Sequence, residues 1–163
     1  LKKDADFIID TSKLLTRELR QELEKIFLKH QEYCNMFVTV LSFGFKYGIP
    51  EDADLVFDVR FLPNPYYSED LRLLTGEDQS VRDYVMQGGT CAQFLDKLYD
   101  MMDFLLPNYI NGGKNQLVVA VGCTGGKHRS VTVARALCAH LTARAEYGIK
   151  IEHRDIDKDN KRK

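Results

Sequence analysis

The chain has 163 residues, 44% of them hydrophobic. This length is enough for one domain with a substantial hydrophobic core but too short for two such domains. Charged residues make up 29% and the formal net charge is −1, so the overall charge does not demand a nucleic acid or an acidic membrane as partner. Residues 117–163 nevertheless carry 10 Lys and Arg against 5 Asp and Glu. Basic character is therefore concentrated late in the chain.

The cysteines and the apolar runs indicate where the protein resides. Its four cysteines have neither the C-x-x-C spacing nor the density of a secreted disulfide scaffold, which predicts a cytoplasmic location. No run of 18 apolar residues occurs, and charge interrupts the first ten residues before a signal-peptide core could form. We expect no membrane partner. Because the sequence begins without Met, we also expect it to be part of a longer protein.

The first predicted elements are a helix and two strands. Apolar residues recur at helical spacing after Thr16, which predicts a helix there. Residues 37–45 are rich in β-branched and aromatic side chains and are followed by Gly and Pro, as expected of a strand. Residues 55–59 predict a second strand, which the Pro-Asn-Pro sequence at 63–65 must end in a loop.

Helices are predicted next along the chain. Residues 66–86 have the pattern of two short helices separated at Thr75 and Gly76. Residues 92–106 keep apolar side chains at helical spacing up to Pro107, where we expect the helix to end.

The last third alternates strand, helix and strand. Residues 117–121 form a continuous apolar run, typical of a strand buried on both faces. A helix is predicted to follow and to end near Gly148, before a final strand at 149–152. Because strands alternate with helices, the predicted class is α/β, a layered and mostly parallel sheet with flanking helices.

The turn GCTGGKHRS, residues 122–130, joins the apolar strand to the following helix. Open α/β sheets bind ligands at the carboxyl ends of their strands, where this turn lies. Its three glycines permit positive φ and close ligand approach, so backbone N–H groups can surround an anion. Lys127, His128 and Arg129 add charge, and Ser130 or a neighbouring residue could cap the helix whose positive end faces the turn. We therefore predict a strand–glycine loop–helix phosphate site.

The turn does not fit a Walker A loop. That motif requires G-x-x-x-x-G-K-[ST], whereas three residues separate Gly122 from Gly126 and His128 follows the lysine. The spacing therefore does not support binding of a magnesium nucleotide by this motif.

The turn also fits the C-x5-R-[ST] signature of cysteine-dependent phosphatases, which leaves a catalytic alternative open. Cys123 would be the nucleophile, with the helix end and Arg129 favouring its thiolate. Gly122, however, stands where those enzymes carry His, and Asp58, the nearest general-acid candidate, is on or beside a strand. A structural role for Cys123 is the preferred interpretation. A domain used only for oligomerisation or protein docking is a third alternative.

Four stretches together resemble the bacterial RapZ/YvcJ family: SFGFKYGIPEDADLVFDVRFLPNP, LRLLTGEDQSV, GCTGGKHRSV and the later HRD. The resemblance covers nearly the whole chain. Members of this family have a P-loop nucleotide-binding domain followed by a domain like this one. The resemblance implies that residues 1–35 are the end of that preceding domain or a linking helix, and that residues 36–163 form a C-terminal ligand- and RNA-binding domain.

The resemblance also implies a regulatory function. In enterobacterial members the domain binds a small regulatory RNA, presents it to an endoribonuclease and senses glucosamine 6-phosphate; Gram-positive relatives are known mainly as nucleotide-binding proteins. We expect an RNase-adapter module that binds a phosphorylated amino sugar and RNA, has an endoribonuclease or other regulatory protein as partner and forms a homo-oligomer. We expect no enzymatic activity, metal or cofactor in this domain; ATP or GTP would bind in the preceding one.

Site residues follow from the match. The phosphate loop falls on Cys123, Thr124, Gly125, Gly126, Lys127, His128, Arg129 and Ser130. The remaining predicted ligand contacts are Ser42, Gly44, Lys46, Arg60 and Asn64. The predicted RNA contacts are Lys127, Arg129, Arg135, His153, Arg154, Lys161, Arg162 and Lys163. Some relatives carry His directly after the Pro-Asn-Pro turn, where this chain has Tyr66.

Overall fold

The computed structural model describes residues 11, 15–16, 19, 23, 36–144 and 147–158. The chain divides into two compact units, Leu1–Tyr33 and Cys34–Lys163. In the first unit, the described residues 16, 19 and 23 are helical, where the sequence predicts a helix. The assignment of residues 1–35 to a preceding domain or linking helix, and of residues 36–163 to a ligand- and RNA-binding domain, stays a prediction.

The second unit is built on a four-stranded, fully parallel sheet, which confirms the predicted α/β class. The strands are β1 (Phe37–Gly44), β2 (Leu55–Asp58), β3 (Gln116–Cys123) and β4 (Gly148–His153). Their order across the sheet is β2-β3-β1-β4. The two central strands are β1 and β3, and each has a neighbouring strand on both sides. Their apolar runs are the longest of the four, as expected of strands inside a sheet.

The register brings the carboxyl ends of the central strands together. Phe37 pairs with Gln116 at one end of the β1–β3 ladder, and Gly44 pairs with Cys123 at the other. The chain leaves β1 for β2 on the far side of β3, and leaves β3 for β4 on the far side of β1. Connections that diverge in this way open a crevice above the strand ends, where α/β sheets bind their ligands.

Helices complete the core. They are α1 (Gln79–Met86), α2 (Thr90–Asn111) and α3 (Arg129–Thr142), and two short 3-10 turns cover Phe45–Tyr47 and Pro65–Tyr67. Helix α2 buries Leu95, Leu98, Met102 and Leu106, which recur every three or four residues on one face. Helix α3 packs against β1, β3 and β4. None of the helices in the described part of the chain is long and apolar enough to cross a membrane.

The two helices predicted on either side of Thr75 are not both present. The second is α1, but residues 69–73 form hydrogen-bonded turns after the 3-10 turn at Pro65–Tyr67. The segment is stabilised by local bonds such as those from the Leu71 and Arg72 N–H groups to the Ser68 carbonyl. Turns closed by hydrogen bonds three and four residues long place apolar residues at the same spacing as a helix does. The sequence pattern therefore predicted a helix where only turns form.

Two helix ends also differ from prediction. Helix α2 continues through Pro107 to Asn111. A proline removes one N–H bond, but Leu106 is fully buried and the Asn108 side-chain amide donates to the Phe104 carbonyl at 2.6 Å, so packing and a side-chain bond sustain the last turn. Helix α3 ends at Thr142, well before Gly148, which instead begins β4.

Candidate ligand-binding site

The glycine loop lies directly on the end of β1. Gly126 has φ of +76°, and a Cβ atom there would lie 2.7 Å from the Gly44 backbone nitrogen. A Cβ atom on Gly44 would lie 2.6 Å from the Gly125 carbonyl carbon. Both positions therefore require glycine, because any side chain would push the loop off the strand. The loop is closely packed as well as conformationally unusual.

A cavity of about 330 Å³ opens beside this loop. It is lined by Lys46, Asn64, Tyr66, Tyr67, Cys123, Thr124, Gly125, Lys127, His128 and Arg129. Eight of these are predicted ligand residues; Tyr66 and Tyr67 are not, although their position after the Pro-Asn-Pro turn could have suggested them. The other predicted ligand residues, which do not line the cavity, are Ser42, Gly44, Arg60, Gly126 and Ser130.

Arg129 is the first residue of α3 and only 5% exposed. Its Nη1 atom donates to the carbonyls of Arg60, at 2.7 Å, and Leu62, at 3.3 Å. Its Nη2 atom donates to Thr124 Oγ1 at 3.3 Å. The buried Nε atom has no hydrogen-bond partner. Because buried donors in proteins are almost always satisfied, this nitrogen is a marked exception.

His128 precedes α3 and is 8% exposed. Its Nε2 atom is likewise buried without a partner. Burial of the ring lowers the pKa of His128 below its usual value, and the adjacent Lys127 charge lowers it further. The ring is therefore neutral at neutral pH. Two unsatisfied nitrogens, one from each of two neighbouring side chains, thus belong to residues lining the same cavity.

Lys127 fastens the loop to the segment before α1. Its Nζ atom donates to the Leu73 carbonyl at 2.8 Å, and its own carbonyl accepts from the Gly76 N–H at 2.9 Å. Gly76 lies so close to the start of α3 that a Cβ atom would be 2.5 Å from the His128 carbonyl oxygen. The segment around Gly76 therefore forms one wall that holds the loop in place.

Of the residues predicted to cap α3, Ser130 or a neighbour, it is not Ser130 that takes the N-cap position. The N-cap position is His128, whose side chain makes no capping hydrogen bond. Ser130 Oγ lies 3.1 Å from Cys123 Sγ, and the Gly126 N–H donates to the same sulfur at 3.2 Å. Cys123 is 3% exposed. Its sulfur thus links both ends of the loop.

No group of three or more His, Cys, Asp or Glu side chains within the described ranges could hold a metal ion. The site is thus a small cationic cavity above the strand ends, bounded by a glycine loop and the start of a helix. Residues 36–157 match the RapZ C-terminal domain family. The chain belongs to this family.

Similar relatives of the chain include three that are each named nucleotide-binding protein. The relative from Agathobacter rectalis is 64% identical over 98% of this chain. Those from Lachnoclostridium phytofermentans and Acetivibrio thermocellus are 59% and 53% identical, over 97% and 99% of the chain. The chain spans 55% of each relative's length. This RapZ C-terminal domain therefore corresponds to about half of each of these proteins.

The guanidinium of Arg60, a predicted ligand contact, pairs with a carboxylate and does not line the cavity of this RapZ C-terminal domain. It makes a bidentate ion pair with Asp58, with Nη2 at 2.6 Å from Oδ2, and lies 4.3 Å from the centroid of the Phe45 ring. Its contribution to the site is the carbonyl that accepts from Arg129. The Arg60 hydrogen bonds lower the pKa of Asp58 against a smaller opposing effect of burial. Asp58 is therefore ionised and poorly suited as a general acid.

The HRD sequence, residues 153–155, forms hydrogen bonds with the end of β1, on which the glycine loop lies. Buried Asp155 Oδ2 accepts from the Gly44 N–H at 2.8 Å. Burial alone would raise the pKa of Asp155, but hydrogen bonds from Arg154, Lys158 and the Gly44 N–H outweigh it and lower that pKa. His153 Nδ1 lies 2.7 Å from Ser42 Oγ. Side chains that end β4 thus hold the end of β1.

Of the predicted RNA contacts that the structure describes, two are buried and three are bonded to neighbouring residues. Lys127 and Arg129 are buried beside the cavity, and His153 and Arg154 bond to neighbouring segments. Arg135 is half-exposed but paired with Glu77. Lys161, Arg162 and Lys163 lie outside the described residues. RNA binding by this set stays a prediction.

Proposed function

We propose that this domain binds a phosphorylated small molecule at the cavity and acts as a regulatory module rather than an enzyme. The observation that carries the proposal is the pair of buried, unpartnered nitrogens, Arg129 Nε and His128 Nε2. An unsatisfied buried polar atom destabilises a folded protein by roughly 1–3 kcal/mol. A phosphate oxygen reaching Arg129 Nε would supply the missing acceptor, whereas the Nε2 atom of the neutral His128 ring, whose other nitrogen bonds to backbone carbonyls, would accept from a hydroxyl group of the ligand.

The electrostatics of the lining support an anionic ligand. Lys46, Lys127 and Arg129 line the cavity, and none of its described lining residues is Asp or Glu. The first-turn N–H groups of α3, which follow directly on the loop, add the positive end of a helix dipole. Fixed cations and helix N–H groups at one small cavity form a preorganised phosphate site.

The resemblance to RapZ proteins makes glucosamine 6-phosphate the first ligand to test. It also extends the proposal to RNA binding and to an RNase-adapter function in the whole protein, with an endoribonuclease or another regulatory protein as partner. The names of the relatives are consistent with nucleotide binding somewhere in the longer proteins. Cytoplasmic location and homo-oligomerisation belong to the same proposal.

Titration calorimetry tests ligand binding directly. Inorganic phosphate and glucosamine 6-phosphate are titrated into the wild type, Arg129→Gln and Arg135→Gln. Because a charge-assisted hydrogen bond contributes about 1.5–3 kcal/mol, Arg129→Gln should weaken binding about 10- to 100-fold. Arg135→Gln is the matched control, since Arg135 lies on the same helix but pairs with Glu77 outside the cavity lining. Absence of saturable binding to the wild type would overturn the proposal.

A cysteine-dependent phosphatase is the second candidate, favoured by the contacts of Cys123. The Gly126 N–H and the Ser130 hydroxyl both lie within hydrogen-bonding distance of its sulfur, as a thiolate nucleophile would require. Opposing this candidate, Asp58 is ionised against Arg60, and the outer nitrogens of Arg129 bond to protein oxygens.

An aryl phosphate distinguishes the two candidates. We expect no turnover by the wild type and unchanged sugar-phosphate binding by Cys123→Ser, because a buried serine can keep the contact with Ser130. Thermal unfolding of Cys123→Ser serves as the control for folding. Wild-type turnover that disappears in Cys123→Ser would establish the phosphatase and exclude the regulatory reading.

A further inference from the structure

Residues 68–76, here called the turn segment, lie between a 3-10 turn and α1. The segment is held together by short-range bonds: the Arg72 N–H donates to the Ser68 carbonyl at 2.9 Å, and the Leu74 N–H donates to the Leu71 carbonyl at 3.1 Å. Its side chains are exposed or half-buried throughout. A segment with little buried surface opens more readily than the core around it.

Two residues of the glycine loop bind the backbone of the turn segment. Lys127 Nζ donates to the Leu73 carbonyl at 2.8 Å, and the Lys127 carbonyl accepts from the Gly76 N–H at 2.9 Å. A ring nitrogen of His128 bonds to backbone carbonyls of the same segment, among them that of Leu74. The loop thus holds the middle of the segment against the start of α3.

The same two side chains also face the ligand cavity, which Lys127 and His128 both line. A lysine ammonium carries three N–H donors, so Lys127 can hold the Leu73 carbonyl and a ligand phosphate at the same time. The buried His128 Nε2 atom lacks a partner, while the other ring nitrogen bonds to the turn segment. A ligand bound to both side chains would therefore complete two short chains of hydrogen bonds that end on the segment, and bonds in such chains strengthen one another.

Glu77, the residue after the turn segment, is held in a different way. Its carboxylate pairs with Arg135 on α3 and lies 2.9 Å from His153 Nε2 at the end of β4. Neither Arg135 nor His153 lines the cavity. The start of α1 is thus fixed independently of the ligand, whereas the attachment of the turn segment passes through residues that line the cavity.

We infer that the turn segment is the element through which this domain responds to its ligand: a phosphorylated compound that contacts Lys127 and His128 suppresses local opening of residues 68–76. The inference rests on the proposed function and adds the place where occupancy of the cavity is registered. Leu73, which is 69% exposed, lies in this segment. Its presentation at the surface therefore depends on whether the cavity is occupied, as a regulatory module requires.

Hydrogen exchange measured by mass spectrometry on the full chain tests the inference. Exchange is followed without ligand, with inorganic phosphate and with glucosamine 6-phosphate, each at about a hundred times the dissociation constant that calorimetry gives. Opening that breaks the ligand contacts becomes up to about 100-fold rarer under these conditions, so we expect the amides of the turn segment to exchange at least about tenfold more slowly with glucosamine 6-phosphate.

The turn after α2 is the internal control. There the Gly113 N–H donates to the Ile110 carbonyl at 2.9 Å, and neither residue lines the cavity. This turn is also closed by a short-range bond, but it has no contact with the glycine loop among the bonds that hold it. Its exchange should not change with either ligand.

Two variants locate the path of the effect. Lys127→Met and Arg129→Gln should both weaken binding, because each removes a cation from the cavity, so each is compared with the wild type at the same ratio of ligand to dissociation constant. Lys127→Met should lose most of the slowing, since it no longer links the ligand to the segment. Arg129→Gln should retain it, because the guanidinium that it removes bonds outside the turn segment, to the carbonyls of Arg60 and Leu62.

Calorimetry separates the two ways to fail. If ligand binds and exchange of the turn segment is unchanged, or slows no more than the control turn, the inference is overturned and the proposed ligand site stands. If neither inorganic phosphate nor glucosamine 6-phosphate binds, the proposed function fails and the inference fails with it. A loss of the slowing in Arg129→Gln as complete as in Lys127→Met would also overturn the inference, because the effect would then not pass through Lys127.

Discussion

His128 combines burial with an unsatisfied ring nitrogen, and this combination makes the domain sensitive to acid. Burial and the Lys127 charge lower the pKa of His128 below the ordinary value of about 6.5. The unfolded chain therefore takes up a proton more readily than the folded chain as the pH falls through that value. The stabilisation is present above about pH 6.5 and is lost progressively below it.

We therefore expect the free energy of unfolding to fall between pH 7.5 and pH 5.5, by less in His128→Gln than in the wild type. Each unit by which the folded pKa lies below the unfolded one corresponds to about 1.4 kcal/mol. Urea unfolding at several pH values measures the difference. His153 will leave a residual dependence of the same sign, because burial lowers its pKa too, against the opposing effect of Glu77. An identical pH dependence in the two proteins would contradict the assignment.

Single residues also show what sequence reasoning could and could not find. The cationic loop residues could be found from the sequence because three glycines beside Lys127, His128 and Arg129 are unusual in a short turn. The sequence left the cap of α3 open between Ser130 and its neighbours; in the structure the N-cap is His128, and the Ser130 hydroxyl lies against the Cys123 sulfur seven residues earlier. Partners of this kind depend on how the loop folds back, which residue spacing alone does not specify.

At the scale of elements, the contact between the glycine loop and the end of β1 determines the site. Gly126 and Gly88 have nearly the same φ, +76° and +75°, but only Gly126 is crowded; a Cβ atom at Gly88 would meet nothing within 4 Å. Comparing alanine substitutions at the two positions therefore distinguishes the cost of backbone strain, present at both, from the cost of steric overlap, present only at Gly126. Alanine in the left-handed region costs roughly 1–2 kcal/mol at either position.

Gly126→Ala should accordingly destabilise the fold more than Gly88→Ala does, and should abolish phosphate binding. The added Cβ atom would lie 2.7 Å from the Gly44 nitrogen and 2.9 Å from the Asp155 Cβ atom, so the loop must move. Gly88→Ala should lower the free energy of unfolding by roughly 1–2 kcal/mol and leave binding intact. Calorimetry and urea unfolding measure both effects. Equal stability losses with retained binding would show that the loop is not held by this contact.

Strands were more predictable than the segments between them. The strands at 37–44 and 116–123 follow from largely buried apolar runs, as expected of central strands, whereas the strand at 55–58 is a half-buried edge strand that its β-branched and aromatic residues indicated. The turns after Ser68 were mistaken for a helix, and α2 continues beyond Pro107, because local hydrogen bonds and packing outweighed the propensities. Pairing of Asp155 with Gly44 joins residues 111 positions apart and leaves no local pattern.

For the whole molecule, the basic residues late in the chain bear on RNA binding. Five described cations there are paired with acidic groups: Arg135 with Glu77, Arg144 with Asp103, Lys150 with Glu152, and Arg154 and Lys158 with Asp155. The predicted RNA contacts at 161–163 therefore remain the simplest to test. Electrostatic binding to RNA releases counterions, so affinity falls with salt in proportion to the number of phosphates neutralised.

We expect weak RNA binding at low salt, with a slope of log affinity against log salt that decreases by up to about 2 when Lys161, Arg162 and Lys163 are replaced together by Ala. Lys150→Ala is the control, because Lys150 is an exposed cation on β4 paired with Glu152. Gel-shift titrations across a salt series give the slopes. Absence of any shift at low salt would exclude RNA binding by this domain alone.

The hydrogen bonds that join the end of β1 to the residues at and after the end of β4 connect parts of the chain that are far apart in sequence. Ser42 and Gly44 contact His153 and Asp155, each 111 positions further along the chain. Contacts this remote in sequence are entropically costly to close and form late, so domains dominated by them fold slowly. A ligand that binds the cavity recognises the folded protein and so raises the free energy of unfolding in proportion to the logarithm of ligand concentration.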